Sequence, residues 1–94
     1  MMNKLEIARK EINRIDGEIA RLFQERMKQV EDVIAYKIEN NMQILDSGRE
    51  KEVIEKNCKL LTEKKLEKYY VDLLENIMRI SREYQKEILD KLEK

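Results

Sequence analysis

The chain has 94 residues and carries no formal net charge, although 43% of its side chains are charged, 20 basic and 20 acidic. That balance leaves no long-range field to draw in nucleic acid or an anionic membrane, so neither is an expected partner and any bound anion must meet a local cluster. With no Pro and only two Gly, the composition fits one small helical domain over residues 1–94 better than a sheet-rich one.

The single Cys58 cannot close an internal disulfide, and the lack of His removes the usual Cys/His zinc sites and His-based nucleophile triads. Neither a metal nor another cofactor is expected. Lys4, Glu6, Arg9, Lys10 and Glu11 stand where a signal peptide needs an apolar run, and no stretch approaches the roughly 18 apolar residues of a membrane span. The expectation is a cytoplasmic protein.

From Lys4 to about Asn40, apolar residues recur at Ala8, Ile12, Ile15, Ile19, Leu22, Val30 and Val33 in steps of mostly three and four, which predicts one long amphipathic helix. Gly17 costs it roughly 1 kcal/mol against Ala, but the flanking period stays helical and the helix is read as continuous. Asn40-Asn41 through Asp46-Ser47-Gly48 then competes with helix through side-chain hydrogen bonds and a permissive backbone. A second, short helix starts near Ser47 and ends near Leu61, with Ser47 and Glu50 at capping-box spacing and Val53, Ile54, Cys58 and Leu61 on its apolar side. Thr62 is placed to cap a third helix from about Lys65 to Leu92, with Tyr70, Leu73, Leu74, Ile77, Ile80, Tyr84, Ile88 and Leu92 inward.

The order is therefore long, short, long, all-α. A helix of about 37 residues spans roughly 55 Å, whereas a compact chain of this size has a radius of gyration near 13 Å. One copy cannot cover such a stripe, which predicts burial against a second copy.

Polar residues in phase with the apolar rows carry the functional signal. Stepping on from Leu22 gives Arg26, Val30, Val33 and Lys37, so two cations share the core-facing side about 16 Å apart along the helix. Such side chains can snorkel or form surface ion pairs, but two unpaired charges on a buried face would each cost several kcal/mol, so a ligand between them is an equal reading. In the third helix Leu74, Met78, Ser81, Gln85, Ile88 and Leu92 form one row whose polar members are Ser81 and Gln85. These two could equally make an interhelical hydrogen bond. Asp46, Arg49 and Glu50 lie within about one turn, where Asp46 or Ser47 as cap, Glu50 closing the box and a solvated Arg49 explain them locally. Arg9 alone reads as surface, and Cys58 as a small apolar filler.

Taken together, Arg9 in Ala8-Arg9-Lys10-Glu11-Ile12, Ile15-Asp16, Leu22 to Arg26, Lys37, Asp46-x-x-Arg49-Glu50 and Ser81-x-x-x-Gln85 resemble the AroQ-type chorismate mutases in order and spacing over nearly the whole chain. One departure is Ser47-Gly48 after Asp46, where the family often has Pro. The resemblance implies an intertwined, domain-swapped homodimer of three-helix chains in which the first helix runs through both subunits. It also implies that Arg26, with Arg9 from the other chain, holds the two carboxylates of chorismate. Lys37 and Gln85 would bond the ether oxygen, Asp46 and Glu50 the ring hydroxyl, Arg49 and Ser81 would complete the polar lining, and Val33 and Met78 the apolar walls. Chorismate rearranges to prephenate, on the way to aromatic amino acids, by a unimolecular pericyclic step, so restraint and fixed donors suffice without nucleophile, metal or redox cofactor.

The expectation is thus a monofunctional chorismate mutase. The alternatives are an isochorismate pyruvate-lyase with a similar pocket, or a non-catalytic helical interaction module. Against a simple two-stranded coil, the run Ala8 to Leu22 meets Arg26 and shifts register before Val30.

Overall fold

The structure, a computed structural model, describes residues 1–93. Three α-helices follow in chain order: α1 (Lys4–Glu39), α2 (Ser47–Cys58) and α3 (Glu67–Leu92), with a single 3-10 turn at Lys64–Leu66 leading into α3. The long, short, long order read from the periodicity holds, and α1 runs unbroken through Gly17, where an added Cβ would meet nothing within 4 Å.

The helix ends explain themselves locally. Asn3 caps α1, its side-chain oxygen accepting from the Glu6 amide at 2.9 Å. At the other end Asn41 takes φ 54°, the Met42 amide donates to the Lys37 carbonyl at 2.8 Å and the Asn41 amide to that of Ile38. This is a Schellman stop with Asn, the residue other than Gly that best tolerates a left-handed backbone. Asp46 caps α2 through Oδ1, which accepts from the Arg49 amide at 3.0 Å.

Three boundary expectations are corrected. The Ser47–Glu50 capping box does not form: Asp46 is the cap, Ser47 is already helical, and the Glu50 carboxylate goes to Arg82 instead. α2 ends at Cys58 rather than near Leu61, where Lys64 Nζ donates to the freed Cys58 carbonyl at 3.1 Å. Thr62 does not cap α3, which is entered through the 3-10 turn with no side-chain cap.

The core is small and lies toward one end. Cys58, Leu74 and Met78 are buried together with Val53, Ile54, Tyr70 and Val71 packed on them, which fixes α2 on α3. Val30 and Ile34 of α1 are buried too, Ile34 at only 1% exposure. Every residue from 1 to 25 is exposed, including Ile12, Ile15, Ile19 and Leu22 of the expected stripe. Val33 is likewise exposed, and Ile34, one position on, takes the buried place. Leu73 and Leu92, expected inward on α3, are exposed. The cause is geometric: α3 has 26 residues against 36 in α1, so one chain offers no surface for the N-terminal half of α1. The radius of gyration is 17.1 Å and the long dimension 58 Å, well beyond a compact chain of this size.

Candidate active site

The C-terminal half of α1, the first turns of α2 and the middle of α3 enclose a hollow of about 290 Å³, near the lower end of the size that admits a small molecule. Each helix delivers polar groups to it by a distinct local device.

On α1, the helical period turns Arg26, Val30, Val33 and Lys37 to one side. The half-buried Arg26 donates from Nη1 to Ser81 Oγ, and the Ser81 hydroxyl in turn donates to the Ile77 carbonyl at 2.9 Å. Burial, and then the positive charge of Arg49, hold the Arg26 guanidinium below its ordinary pKa. Two like charges turned on the same space favour an anion there. Lys37 sits in the last turn of α1, and its Nζ donates to the Ile44 carbonyl at 2.7 Å. The Schellman stop that turns the chain after Asn41 brings Ile44 back over that ammonium, so the loop holds it at the edge of the hollow.

From α2 come Asp46, Arg49 and Glu50, with Val53 one turn further. Arg49 pairs with Glu52 at 3.0 Å, both side chains being more than half exposed, a pairing that water weakens and a ligand can displace.

On α3, Met78, Ser81 and Gln85 are all buried. The Gln85 side-chain oxygen has no hydrogen-bond partner among the described residues. A buried unsatisfied polar atom costs about 1–3 kcal/mol, and this amide, engaged by no internal network at its oxygen, borders the hollow where a ligand can meet it.

Of the residues singled out in the sequence, Arg26, Val33, Lys37, Asp46, Arg49, Glu50, Met78, Ser81 and Gln85 line this single hollow. Arg9 does not: it is exposed, and seventeen residues of helix put it about 25 Å from Arg26 along α1.

Residues 8–86 match the family described as chorismate mutase type II. The chain belongs to the chorismate mutase type II family. That match takes in every residue named above, from Arg9 to Gln85. The chain is also 39% identical over 90 residues to the bifunctional chorismate mutase/prephenate dehydratase of Buchnera aphidicola subsp. Acyrthosiphon pisum (strain APS), an alignment covering 95% of this chain. It spans only 23% of the length of that relative. No solved structure matches this chain.

Five lining residues were not singled out in the sequence as part of a site: Gln29, Ile44 and Arg82, with Val30 and Val53, which were read only as members of apolar rows. Ile44 lies in a loop, where helical phase says nothing about direction. Arg82 falls one position after Ser81, off the apolar row, and reads as solvated. Its interhelical partner Glu50 could have been suspected only by knowing how α2 crosses α3.

Proposed function

We propose that this chain is a chorismate mutase, converting chorismate to prephenate in aromatic amino acid biosynthesis, and that it works in the cytoplasm as an intertwined homodimer of single-domain subunits. The observation that carries the reading is the gathering of Arg26, Lys37 and Arg49 with the buried Gln85 amide around one hollow of small-molecule size. Chorismate is a dianion, and its rearrangement breaks a carbon–oxygen bond as a carbon–carbon bond forms, with negative charge growing on the ether oxygen. Four cations face two carboxylates in the lining, an excess of positive charge suited to a dianion.

Arg26, braced by Ser81, holds one carboxylate of the substrate. The Lys37 ammonium and the Gln85 amide donate to the ether oxygen, where fixed donors lower the barrier most because charge develops there. Asp46 and Glu50 accept from the ring hydroxyl, Arg49 and Ser81 complete the polar lining, and Val33 and Met78 press the enolpyruvyl arm over the ring.

Two observations support the dimer. Arg9 is far too distant to serve the hollow of its own chain, and Ile12, Ile15, Ile19 and Leu22 on α1 stand exposed beside none of their own core. A second copy laid along α1 would bury that ridge and bring its Arg9 to the second carboxylate.

The decisive experiment follows loss of chorismate and appearance of prephenate with purified protein. Turnover is the expected result, and an unchanged chorismate pool overturns the proposal. Mixing inactive Arg9→Ala and Lys37→Ala proteins tests the shared site: mixed dimers carry one intact site and recover activity, whereas a mixture as inactive as its parts removes Arg9 from the partner's site.

A further inference from the structure

We propose that Arg82 is a positioning residue that fixes the Glu50 carboxylate at the hollow, holding it as the acceptor for a hydroxyl of the ligand. This rests on the chorismate reading above and assigns to Arg82 a role that reading leaves empty.

The geometry is specific. Arg82 Nη1 lies 2.5 Å from one Glu50 oxygen and 2.6 Å from the other, across 32 residues of sequence. The two side chains are 33% and 25% exposed, less than those of any other ion pair among the described residues, and theirs is the one pair there that joins two helices. Both also line the hollow.

Glu50 is the fourth residue of α2, one position past that from which a glutamate reaches back to the Asp46 cap, so the start of the helix has no claim on its carboxylate. Arg82, one position after Ser81 on α3, holds it across the gap between the two helices. A carboxylate close to a dianion is repelled by it, and a guanidinium on that carboxylate offsets the repulsion. An ionised carboxylate has about four acceptor positions, so a bond from one Arg82 nitrogen leaves room for a hydroxyl donor. Arg82 thus acts through Glu50, with Nη1 committed to the carboxylate rather than to the ligand.

The test is binding, by calorimetry, of two dianionic bicyclic mimics of the transition state that differ only in the ring hydroxyl. Wild type is expected to prefer the hydroxyl-bearing mimic. Arg82→Met should lose that mimic by roughly tenfold to a hundredfold, the range of a hydrogen bond to a charged group, while binding the deoxy mimic within about twofold of wild type. Arg82→Lys, which keeps the charge but not the reach of the fork, should recover part of the preference. In a Glu50→Gln background Arg82→Met should cost nothing further. Should Arg82→Met fail to fold, Arg82→Gln carries the same expectation. Equal losses for both mimics, or no loss for either, overturn the role. A wild type that binds neither mimic and leaves chorismate unchanged overturns the functional reading along with it, whereas a wild type active on chorismate with unselective Arg82 variants overturns this role alone.

Discussion

Arg26 and Lys37 stand eleven residues apart on α1, and each is held by a different neighbour, Arg26 by the Ser81 hydroxyl of α3 and Lys37 by the Ile44 carbonyl of the loop before α2. Two long, flexible cations are thereby fixed before any ligand arrives, so less rotamer freedom is lost on binding.

Lys37 is proposed to meet the ether oxygen. Lys37→Ala should therefore reduce kcat/KM by about a hundredfold or more, by analogy with the loss of one donor to a developing oxyanion. Far-ultraviolet spectra should stay those of the parent, since the Schellman stop uses the backbone at position 37 and not the side chain. Parent-like turnover would remove Lys37 from the reaction.

Gln85 donates at every pH, whereas a glutamate in its place donates only when protonated. Gln85→Glu should confine activity to acidic solution, its kcat/KM falling as pH rises, beside a parent with no such dependence on this side chain. A pH–rate profile unchanged in shape would mean that the amide does not touch the reacting oxygen.

Ile34 is the most deeply buried side chain, at 1% exposure. Truncating it leaves a cavity between α1 and α3, and Ile34→Ala should cost about 2–5 kcal/mol in urea unfolding. Val33→Ala, at an exposed neighbour on the wall of the hollow, should cost much less. Equal losses would contradict the observed packing.

The Tyr84 hydroxyl donates to the Glu31 carboxylate at 2.7 Å. That bond first, then burial and the charges of Glu31 and Glu87, raise the phenol above its usual 10.0. A group whose folded pKa is raised contributes stability below its unfolded value and loses it as pH climbs through the folded one. Wild type should therefore weaken more than Tyr84→Phe between pH 9 and the alkaline limit. Denaturant titrations at several pH values read this difference directly, and parallel curves would rule the bond out.

Much of this was legible because a helix places side chains by phase alone. Arg26 and Lys37 on α1, and Ser81 and Gln85 on α3, could be assigned to inward rows from spacing, and they meet at the hollow. Phase says less about the rim of a row. Val33 and Ile34 both lie near the stripe, and which of them is covered depends on where α3 crosses. Leu73 follows the inward period of α3 yet lies in the open, because nothing among the described residues covers it. The Glu50 carboxylate could close a capping box only with Ser47 as the cap; Asp46 takes that place, and the carboxylate meets Arg82, which only the crossing of α2 and α3 brings near. Local pattern thus brought out the residues that share one hollow, and the crossing of the helices decided which neighbours stand behind them.

The exposed run from residue 1 to residue 25 has one more consequence. Most helical stability in proteins comes from packing of an apolar face, and these turns of α1 have only propensity to sustain them beyond the packed half. Helical content in this protein should then depend on concentration, and serial dilution followed by circular dichroism should show the leading turns of α1 melting while the packed end of the chain, around Ile34 and Met78, stays folded.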